Sequence, residues 1–219
     1  MGIDLAKMKA KRDALENRDT GKTVFWRPED GEQTIRILPP SDGDPFKEYW
    51  FHYNLGKNPS FLSPKKNFGE DDPLNDFVRQ LYKEGSDESV KMAKDLSARQ
   101  RFFSPVLVRG QEEEGVRIWG FGKTAYKELL NLVLNPDYGD ITDPHEGRDV
   151  RVTCTKTPGK MWATTDVRPR GKDSPLSEDN SKAKGWLDNI PDVNDLFELK
   201  SYEELENIIN AWLNGDDEK

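Results

Sequence analysis

The sequence predicts a mainly β protein of the α+β class, with helical insertions and a C-terminal helix. Short segments in which apolar and polar residues alternate, such as Gln33–Leu38, indicate half-buried strands. Separate blocks with apolar residues at helical spacing, at 74–82, 126–134 and 205–212, indicate helices. The length of 219 residues suits one domain of good size or a domain with appendages.

The first two strands are predicted on either side of a Pro-Pro pair. Residues 25–40 read FWRPEDGEQTIRILPP, in which Pro-Glu-Asp-Gly is turn chemistry and the following strand places Ile35 and Ile37 on one face. The second strand, FKEYWFHYNL at 46–55, holds five aromatic residues within eight positions. One strand face can bury about half of them, so some rings are expected to face solvent or a partner.

A helical insertion is predicted between the second and third strands, over residues 56–98. Asp72 can cap a helix in which Pro73 occupies the first turn, and Gly85 ends this helix. Asp87 can cap a second helix. The apolar face of the insertion is small, so we expect it to pack on the β core or to form a lobe beside a cleft.

A β-hairpin predicted over Arg99–Lys123 is the centre of the functional argument. Its strands, Phe102–Arg109 and Val116–Gly122, are joined by a short acidic turn that contains glycine. A helix follows directly and stops at Asn135-Pro136.

The last part of the chain combines a strand pair, a linker and a helix. Strands at 150–155 and 161–167 flank a Lys-Thr-Pro-Gly-Lys turn. Residues 171–185 have the Pro, Gly, Ser and charge content of a linker. Ser201 and Glu204 form a capping box that starts a final helix.

Together these elements are consistent with a five-stranded Greek-key barrel of the oligonucleotide-binding (OB) kind. The predicted division of the chain is a basic N-terminal arm at 1–22, a core at 23–170, a linker at 171–185 and an acidic interaction segment at 186–219.

The net charge of −8 is distributed unevenly. Residues 171–219 hold five Lys or Arg and thirteen Asp or Glu, so residues 1–170 carry no net charge. A neutral body can still hold a local basic cleft, and an acidic end is a common form of interaction tail. The overall acidity therefore does not exclude a nucleic-acid partner.

Several functional classes are disfavoured by the sequence. No apolar run approaches the ~20 residues of a membrane span, and the N-terminus lacks the apolar region of a secretory signal. The single cysteine, Cys154, rules out an internal disulfide and fits a reducing compartment. His52 and His145 lie far apart without cysteine partners, so we expect no metal and no other cofactor.

Cationic and aromatic residues recur side by side on the predicted strands and around the last turn. Such a surface binds single-stranded nucleic acid without reading its sequence, because aromatic rings stack on any base and Lys or Arg side chains neutralise phosphates. The candidate stacking residues are Tyr49, Phe51, Tyr53, Phe102, Trp119, Phe121 and Trp162. The candidate phosphate contacts are Arg36, Lys47, Arg99, Arg101, Arg109, Arg117, Lys123, Lys156, Arg168 and Arg170.

The sequence does not decide whether several of these aromatic side chains face the core or the solvent. Phe102 and Phe103 are adjacent, so one is expected to face the core and the other the solvent. Trp119 and Phe121 share a strand face, which is either the DNA-binding face or the core. Some of the candidates must therefore be structural.

The sequence resembles the helix-destabilising single-stranded DNA-binding proteins of T-even-like bacteriophages and their marine relatives. The matching segments are FWRPEDGEQTIRILPP, FKEYWFHY, RQRFFSPVLVRG with its acidic turn, and VRIWGFGKTAYKELL, and the similarity covers roughly residues 24–170. The resemblance implies an OB-fold core with a basic, aromatic-lined cleft. It also implies a basic N-terminal arm for cooperative binding and an acidic C-terminal tail that recruits replication partners and competes for the cleft.

The chain departs from that family in its insertion. Members often carry a zinc site between the second and third strands, with Cys-Pro pairs. Here Ser63-Pro64 and Asp72-Pro73 stand in those places, and Asn75 stands where another cysteine is expected. Zinc needs thiolate or imidazole ligands in the right number, so we expect no metal and an insertion held by its own apolar residues.

The predicted function is that of a non-catalytic, sequence-nonspecific single-stranded DNA-binding protein of a phage, acting in the host cytoplasm in DNA replication, recombination and repair. Expected partners are single-stranded DNA, phage replication and recombination proteins, and other copies of the chain. One alternative is a protein-interaction module with incidental DNA contact. Another is a metal-dependent nuclease using Asp71, Asp72, Asp140 and Asp143, although all four lie in turn sequences, where Asp serves caps and Asx-turns.

Overall fold

The computed structural model describes residues 24–40, 42–57, 60–156, 158–159 and 163–215. Within them the chain is a mixed α+β protein with an eight-stranded sheet and six α-helices, as the sequence predicts at the level of class. Residue contacts divide the chain into two compact units. The first holds the described residues up to Phe46 together with Phe103–Pro191, and the second holds Lys47–Phe102 and the described residues from Asp192 onward.

Strands and helices are interspersed along the described chain. The strands are β1 (Phe25–Trp26), β2 (Gly31–Ile37), β3 (Lys47–His52), β4 (Phe61–Leu62), β5 (Arg99–Val108), β6 (Arg117–Phe121), β7 (Arg148–Thr155) and β8 (Thr164–Asp173). The helices are α1 (Pro64–Phe68), α2 (Pro73–Glu84), α3 (Asp87–Leu96), α4 (Lys123–Val133), α5 (Asn180–Leu187) and α6 (Tyr202–Leu213). Short 3₁₀ helices lie at Glu112–Glu114 and Val193–Leu196.

Six strands of the sheet follow the order β1-β6-β5-β2-β7-β8. β2 lies near the middle and is antiparallel to both β5 and β7, while β1 pairs with β6 in parallel. Ile35 and Ile37 of β2 are fully buried, as their spacing predicts. The end strands β1 and β8 are not paired with each other within the described residues, so the predicted five-stranded barrel is not shown.

Aromatic side chains form part of the first unit's core. Trp26 packs edge-on against Trp119, with ring centroids 5.8 Å apart. Phe46 packs in the same way against Phe121, at 6.2 Å, and against Tyr126 of α4, at 5.8 Å. Edge-to-face contacts of this kind suit the quadrupoles of the two rings.

The helical insertion of the second unit forms where the sequence predicts it. Asp72 caps α2 by accepting from the Asn75 amide, Pro73 occupies its first turn, and Gly85 ends it in the left-handed conformation at φ 77°. The predicted cap of α3 is displaced by one residue, because Ser86 rather than Asp87 accepts from the Ser89 amide.

The core of the second unit joins the insertion to the C-terminal helix. Leu74 and Leu81 of α2 lie in one buried cluster with Leu205 and Ile209 of α6. The capping box of Ser201 and Glu204 that starts α6 is formed as predicted. Segments far apart in the sequence therefore share a core, whereas the sequence divided them into an insertion and a separate acidic segment.

The predicted linker at 171–185 is structured at both of its ends. Residues as far as Asp173 belong to β8, which pairs with β7, and α5 begins at Asn180 with Asp179 as its cap. Trp186 and Leu187 pack against a small buried cluster of Leu38, Leu107 and Leu176. The predicted N-terminal arm at 1–22 lies outside the described residues.

Candidate nucleic-acid interface

The predicted stacking residues are mostly buried. Five of their rings belong to the core, namely Tyr49, Phe51, Phe102, Trp119 and Phe121. Tyr53 is half-buried, and Trp162 lies outside the described residues. A fully enclosed ring cannot stack on a base, so the aromatic part of the predicted interface is reduced to Tyr53 among the residues that the structure describes.

The sequence leaves open whether Trp119 and Phe121 face the core or a DNA-binding surface, and the structure places both side chains in the core. Trp119 is 1% exposed and Phe121 is 3% exposed. Their rings lie 4.5 Å apart, and each packs on a further aromatic ring of the first unit, Trp26 and Phe46 respectively. Their shared face is the core face, and the assignment of both to DNA stacking is wrong for this conformation.

Phe102 and Phe103 are both buried, which corrects the prediction that one of them faces solvent. Phe102 is 1% exposed and Phe103 is 7% exposed. The reason is that β5 is buried on both faces from Phe102 to Val108, so the alternation of side chains does not bring either ring to the surface.

Tyr49 and Phe51 are covered by the chain's own C-terminal part. The ring of Phe197 lies 5.4 Å from that of Tyr49 and 4.9 Å from that of Phe51, edge-on in both cases. The Tyr49 hydroxyl donates a hydrogen bond to Asn194. Burial and the carboxylate of Asp192 raise the pKa of Tyr49. The predicted aromatic strand therefore forms, as β3, but two of its rings are already in contact with Phe197.

Arg36 and Arg109 are structural rather than exposed phosphate contacts. Arg36 is 1% exposed, and its Nε donates to Asp149 Oδ1 at 2.9 Å. Arg109 Nη2 donates to the same oxygen at 3.0 Å. Other nitrogens of the two side chains donate to backbone carbonyls: Arg36 Nη1 binds Asp143 O at 3.2 Å, before β7, while Arg36 Nη2 binds Ser174 O at 2.7 Å and Arg109 Nη1 binds Leu176 O at 2.8 Å, both after β8.

This shared carboxylate explains why so polar a group can lie inside the first unit. A buried guanidinium is tolerated when its donors are paired, and the single Asp149 carboxylate serves both arginines. Arg36 of β2 and Arg109, which directly follows β5, therefore hold the residues between β8 and α5 in place by hydrogen bonds.

Two other predicted cations are engaged in ion pairs. Arg117 is mostly buried and donates to Glu114 at 2.7 Å and to Gln111 at 2.5 Å. Arg168 is exposed and pairs with Asp166 at 2.9 Å, a contact that raises the pKa of the guanidinium. An exposed pair of this kind contributes little to stability, so Arg168 can exchange Asp166 for another anion.

Tyr53, Arg99 and Arg101 are the predicted residues that the structure brings together in one place. We call them the Tyr53 patch. Tyr53 follows β3, which pairs with β5, the strand that carries Arg99 and Arg101. Burial raises the pKa of the Tyr53 phenol, while the charges of Arg101 and Arg99 act in the opposite direction. Arg99 is exposed and Arg101 half-buried, and their positions two apart on β5 place them on one face.

The other predicted cations lie at separate surface positions. Lys123 is exposed at the start of α4 and Lys156 is exposed just after β7, while Lys47 is half-buried at the start of β3. Arg168 and Arg170 are exposed on one face of β8. On this face Arg151 stands directly opposite Arg168.

Sequence reasoning missed Arg151, Phe197 and a cation–π contact in the second unit. The register of β7 and β8, which places Arg151 beside Arg168, has no local signal. The contacts of Phe197 with Tyr49 and Phe51 join distant parts of the chain and have no local signal either. Lys66 Nζ lies 5.6 Å from the ring centroid of half-buried Trp50, and its place on α1 could be found only from the fold.

Ser63 and Asp72 of the insertion, where the sequence predicts no metal, form a hydrogen-bonded cluster with His52. His52 Nε2 lies 3.0 Å from Asp72 Oδ2, and the Ser63 hydroxyl donates to the same oxygen at 2.5 Å. All three side chains are buried. No group of three or more His, Cys, Asp or Glu residues suited to a metal ion occurs among the described residues.

Comparisons with known proteins give no assignment. No protein-family model matches the chain, and no curated protein matches it significantly. In the part of the chain that the structure describes, none of the helices combines the length and the apolar character needed to cross a membrane.

Proposed function

We propose that the protein binds single-stranded DNA without sequence preference and has no catalytic activity. The Tyr53 patch is the observation that carries this proposal. It combines one partly exposed aromatic ring with two guanidinium groups on one strand face. In this arrangement a base stacks on Tyr53 and the neighbouring phosphates are neutralised by Arg99 and Arg101.

The proposed biological role follows the resemblance of residues 24–170 to phage helix-destabilising proteins. The protein would coat single strands during phage DNA replication, recombination and repair in the host cytoplasm, and its acidic C-terminal part would bind other replication proteins. The proposal includes an OB-type arrangement of the sheet strands. In support, β2 is antiparallel to both β5 and β7, and β7 continues antiparallel into β8.

The test is a titration of fluorescent oligo-dT at several salt concentrations, with a duplex of the same length beside it. The double variant Arg99→Gln/Arg101→Gln should bind oligo-dT more weakly. Each phosphate contact on a single strand contributes about −0.7 to the slope of log K against log salt, so the slope should become less negative by about 1.4. Tyr53→Leu should lower the affinity by ~1–3 kcal/mol, the contribution of one stacked base, with little change in slope.

A matched control is the double variant Lys91→Gln/Lys94→Gln. It also removes two positive charges, from exposed positions on α3 in the same unit. If both double variants change the slope equally, general electrostatics rather than the Tyr53 patch accounts for binding. Equal affinity of the unaltered protein for duplex and single strand refutes the proposal and favours the interaction module. Mg²⁺-dependent cleavage of the oligonucleotide favours the nuclease.

A further inference from the structure

A second candidate site lies in the first unit, at the short strand β1. It is a cavity of about 430 Å³, lined by Phe25, Trp26, Arg27, Glu29, Gln33, Gln111 and Arg117. We call it the β1 pocket. Its volume falls in the range of about 300–1,000 Å³ that is typical of small-molecule sites. It shares no residue with the Tyr53 patch.

Two lining residues each carry a buried polar atom without a hydrogen-bond partner in the described structure: Gln33 Oε1 and Arg117 Nε. The other polar atoms of these groups are engaged. Gln33 Nε2 donates to the Glu29 carbonyl at 3.1 Å, and the two terminal nitrogens of Arg117 donate to Glu114 and Gln111. Both atoms have almost no accessible surface, so a ligand in the cavity reaches either of them only after its side chain turns. A buried unsatisfied group destabilises a protein, which favours such a turn when a ligand can satisfy it.

The remaining lining combines aromatic surface with positive charge. Phe25 is half-buried, and Trp26 is buried beneath the pocket wall at 5% exposure. Arg27 is exposed and has no hydrogen bond or ion pair with any described residue. Arg117 is already paired with Glu114, so Arg27 is the cation of the lining that remains for an anionic ligand, and Glu29 is the acidic side chain of the lining. Such a lining suits a ligand with a flat heterocycle, a hydrogen-bonding edge and an anionic group.

We propose that the β1 pocket binds a single nucleotide. The base packs against Phe25, the Gln33 amide turns so that its Oε1 accepts a hydrogen bond from the base edge, and the phosphate pairs with Arg27. All four bases present a donor next to an acceptor on their pairing edge, so the pocket accepts any of them. The terminal torsion of a Gln side chain is broad, so the Gln33 amide can turn towards the base at little cost.

Isothermal titration calorimetry of the full chain with each deoxynucleoside monophosphate tests this proposal. Inorganic phosphate and the corresponding nucleosides serve as comparison ligands. We expect a Kd on the order of 1 mM or lower for the nucleotides. Gln33→Leu, which removes the acceptor at similar volume, and Arg27→Gln should each weaken nucleotide binding at least about tenfold, a loss of one good hydrogen bond or charge contact.

Two control variants separate this site from general electrostatics and from the Tyr53 patch. Lys127→Gln removes an exposed positive charge of α4, in the same unit, and should leave nucleotide affinity unchanged. Arg99→Gln/Arg101→Gln should also leave it unchanged, even where it weakens oligo-dT binding. The nucleotide pocket and the single-strand surface can therefore fail independently.

Three results overturn the proposal. The first is the absence of nucleotide binding at about 10 mM by a chain whose circular dichroism shows that it is folded. The second is inorganic phosphate binding as tightly as the nucleotides, which leaves only an anion site at Arg27. The third is an equal loss of affinity in Lys127→Gln and Arg27→Gln.

Discussion

Single residues in the first unit show how a charged side chain can be structural despite a sequence context that favours ligand binding. Arg36 alternates with Ile35 and Ile37 on β2, and such a position is normally solvated. It is instead enclosed by Asp149, the Asp143 carbonyl and Ser174. The space for this arrangement depends on Gly147. A Cβ at that position would lie 2.2 Å from the Asp143 carbonyl oxygen and 2.8 Å from Arg36 Nη1.

Gly147→Ala is therefore predicted to destabilise the protein. A methyl group at this position must displace backbone or the buried guanidinium, and such overpacking typically costs about 1–3 kcal/mol. Urea unfolding followed by circular dichroism measures the change.

Gly171→Ala is the matched control for this substitution, because a Cβ at that exposed position of β8 meets no atom within 4 Å. It should change the free energy of unfolding by less than about 0.5 kcal/mol. Equal effects of the two substitutions would contradict the steric argument.

At the scale of elements, helix caps could be predicted from the sequence, whereas the face of the sheet on which a side chain lies could not. The Asp72 and Ser201 caps were predicted because each cap is a hydrogen bond between residues within four positions of each other. The coverage of Tyr49 by Phe197 and the pairing of Arg36 with Asp149 join distant parts of the chain. No local pattern reports such contacts, so six of the seventeen candidate residues are buried.

The cluster at the start of α2 predicts a specific pH dependence. Burial alone would raise the pKa of Asp72, but the hydrogen bond and charge interaction with His52 and the hydrogen bonds from Ser63 and Asn75 together lower it. A carboxyl whose pKa is lower in the folded state stabilises the fold above its unfolded pKa of about 3.9. That stability is lost as the pH falls from there through the folded pKa.

Asp72→Asn should accordingly reduce the free energy of unfolding at pH 7, by about 1–3 kcal/mol for the weakened buried hydrogen bonds. It should also make stability less steeply dependent on pH below about pH 4. Urea unfolding at a series of pH values measures both effects. Asp76→Asn is the control, since Asp76 pairs with Arg79 at the surface. If the free energy of unfolding of Asp72→Asn falls below about pH 4 as steeply as that of the unaltered protein, other carboxyl groups dominate acid unfolding.

For the whole molecule, the distribution of charge matters more than its sum. The acidic excess lies entirely within residues 171–219, and the Tyr53 patch belongs to the otherwise neutral remainder. If the patch binds phosphates, acidic residues elsewhere in the chain weaken that binding through the electrostatic field, and added salt screens this field. The net charge of −8 therefore predicts a salt-dependent antagonism between the acidic end and DNA.

Removing the last six residues, 214–219, tests this antagonism directly. The segment reads NGDDEK, so the deletion removes three acidic groups and one basic group. We expect tighter oligo-dT binding at low salt and a difference from the full chain that shrinks as salt rises, because the Debye length falls from about 30 Å at 0.01 M to about 8 Å at 0.15 M. A full-length variant with Asp216→Asn, Asp217→Asn and Glu218→Gln separates charge from length and should reproduce the effect. Unchanged affinity in both variants would show that the end of the chain does not compete for the DNA-binding surface. A gain that persists at high salt would assign the effect to steric exclusion rather than to charge.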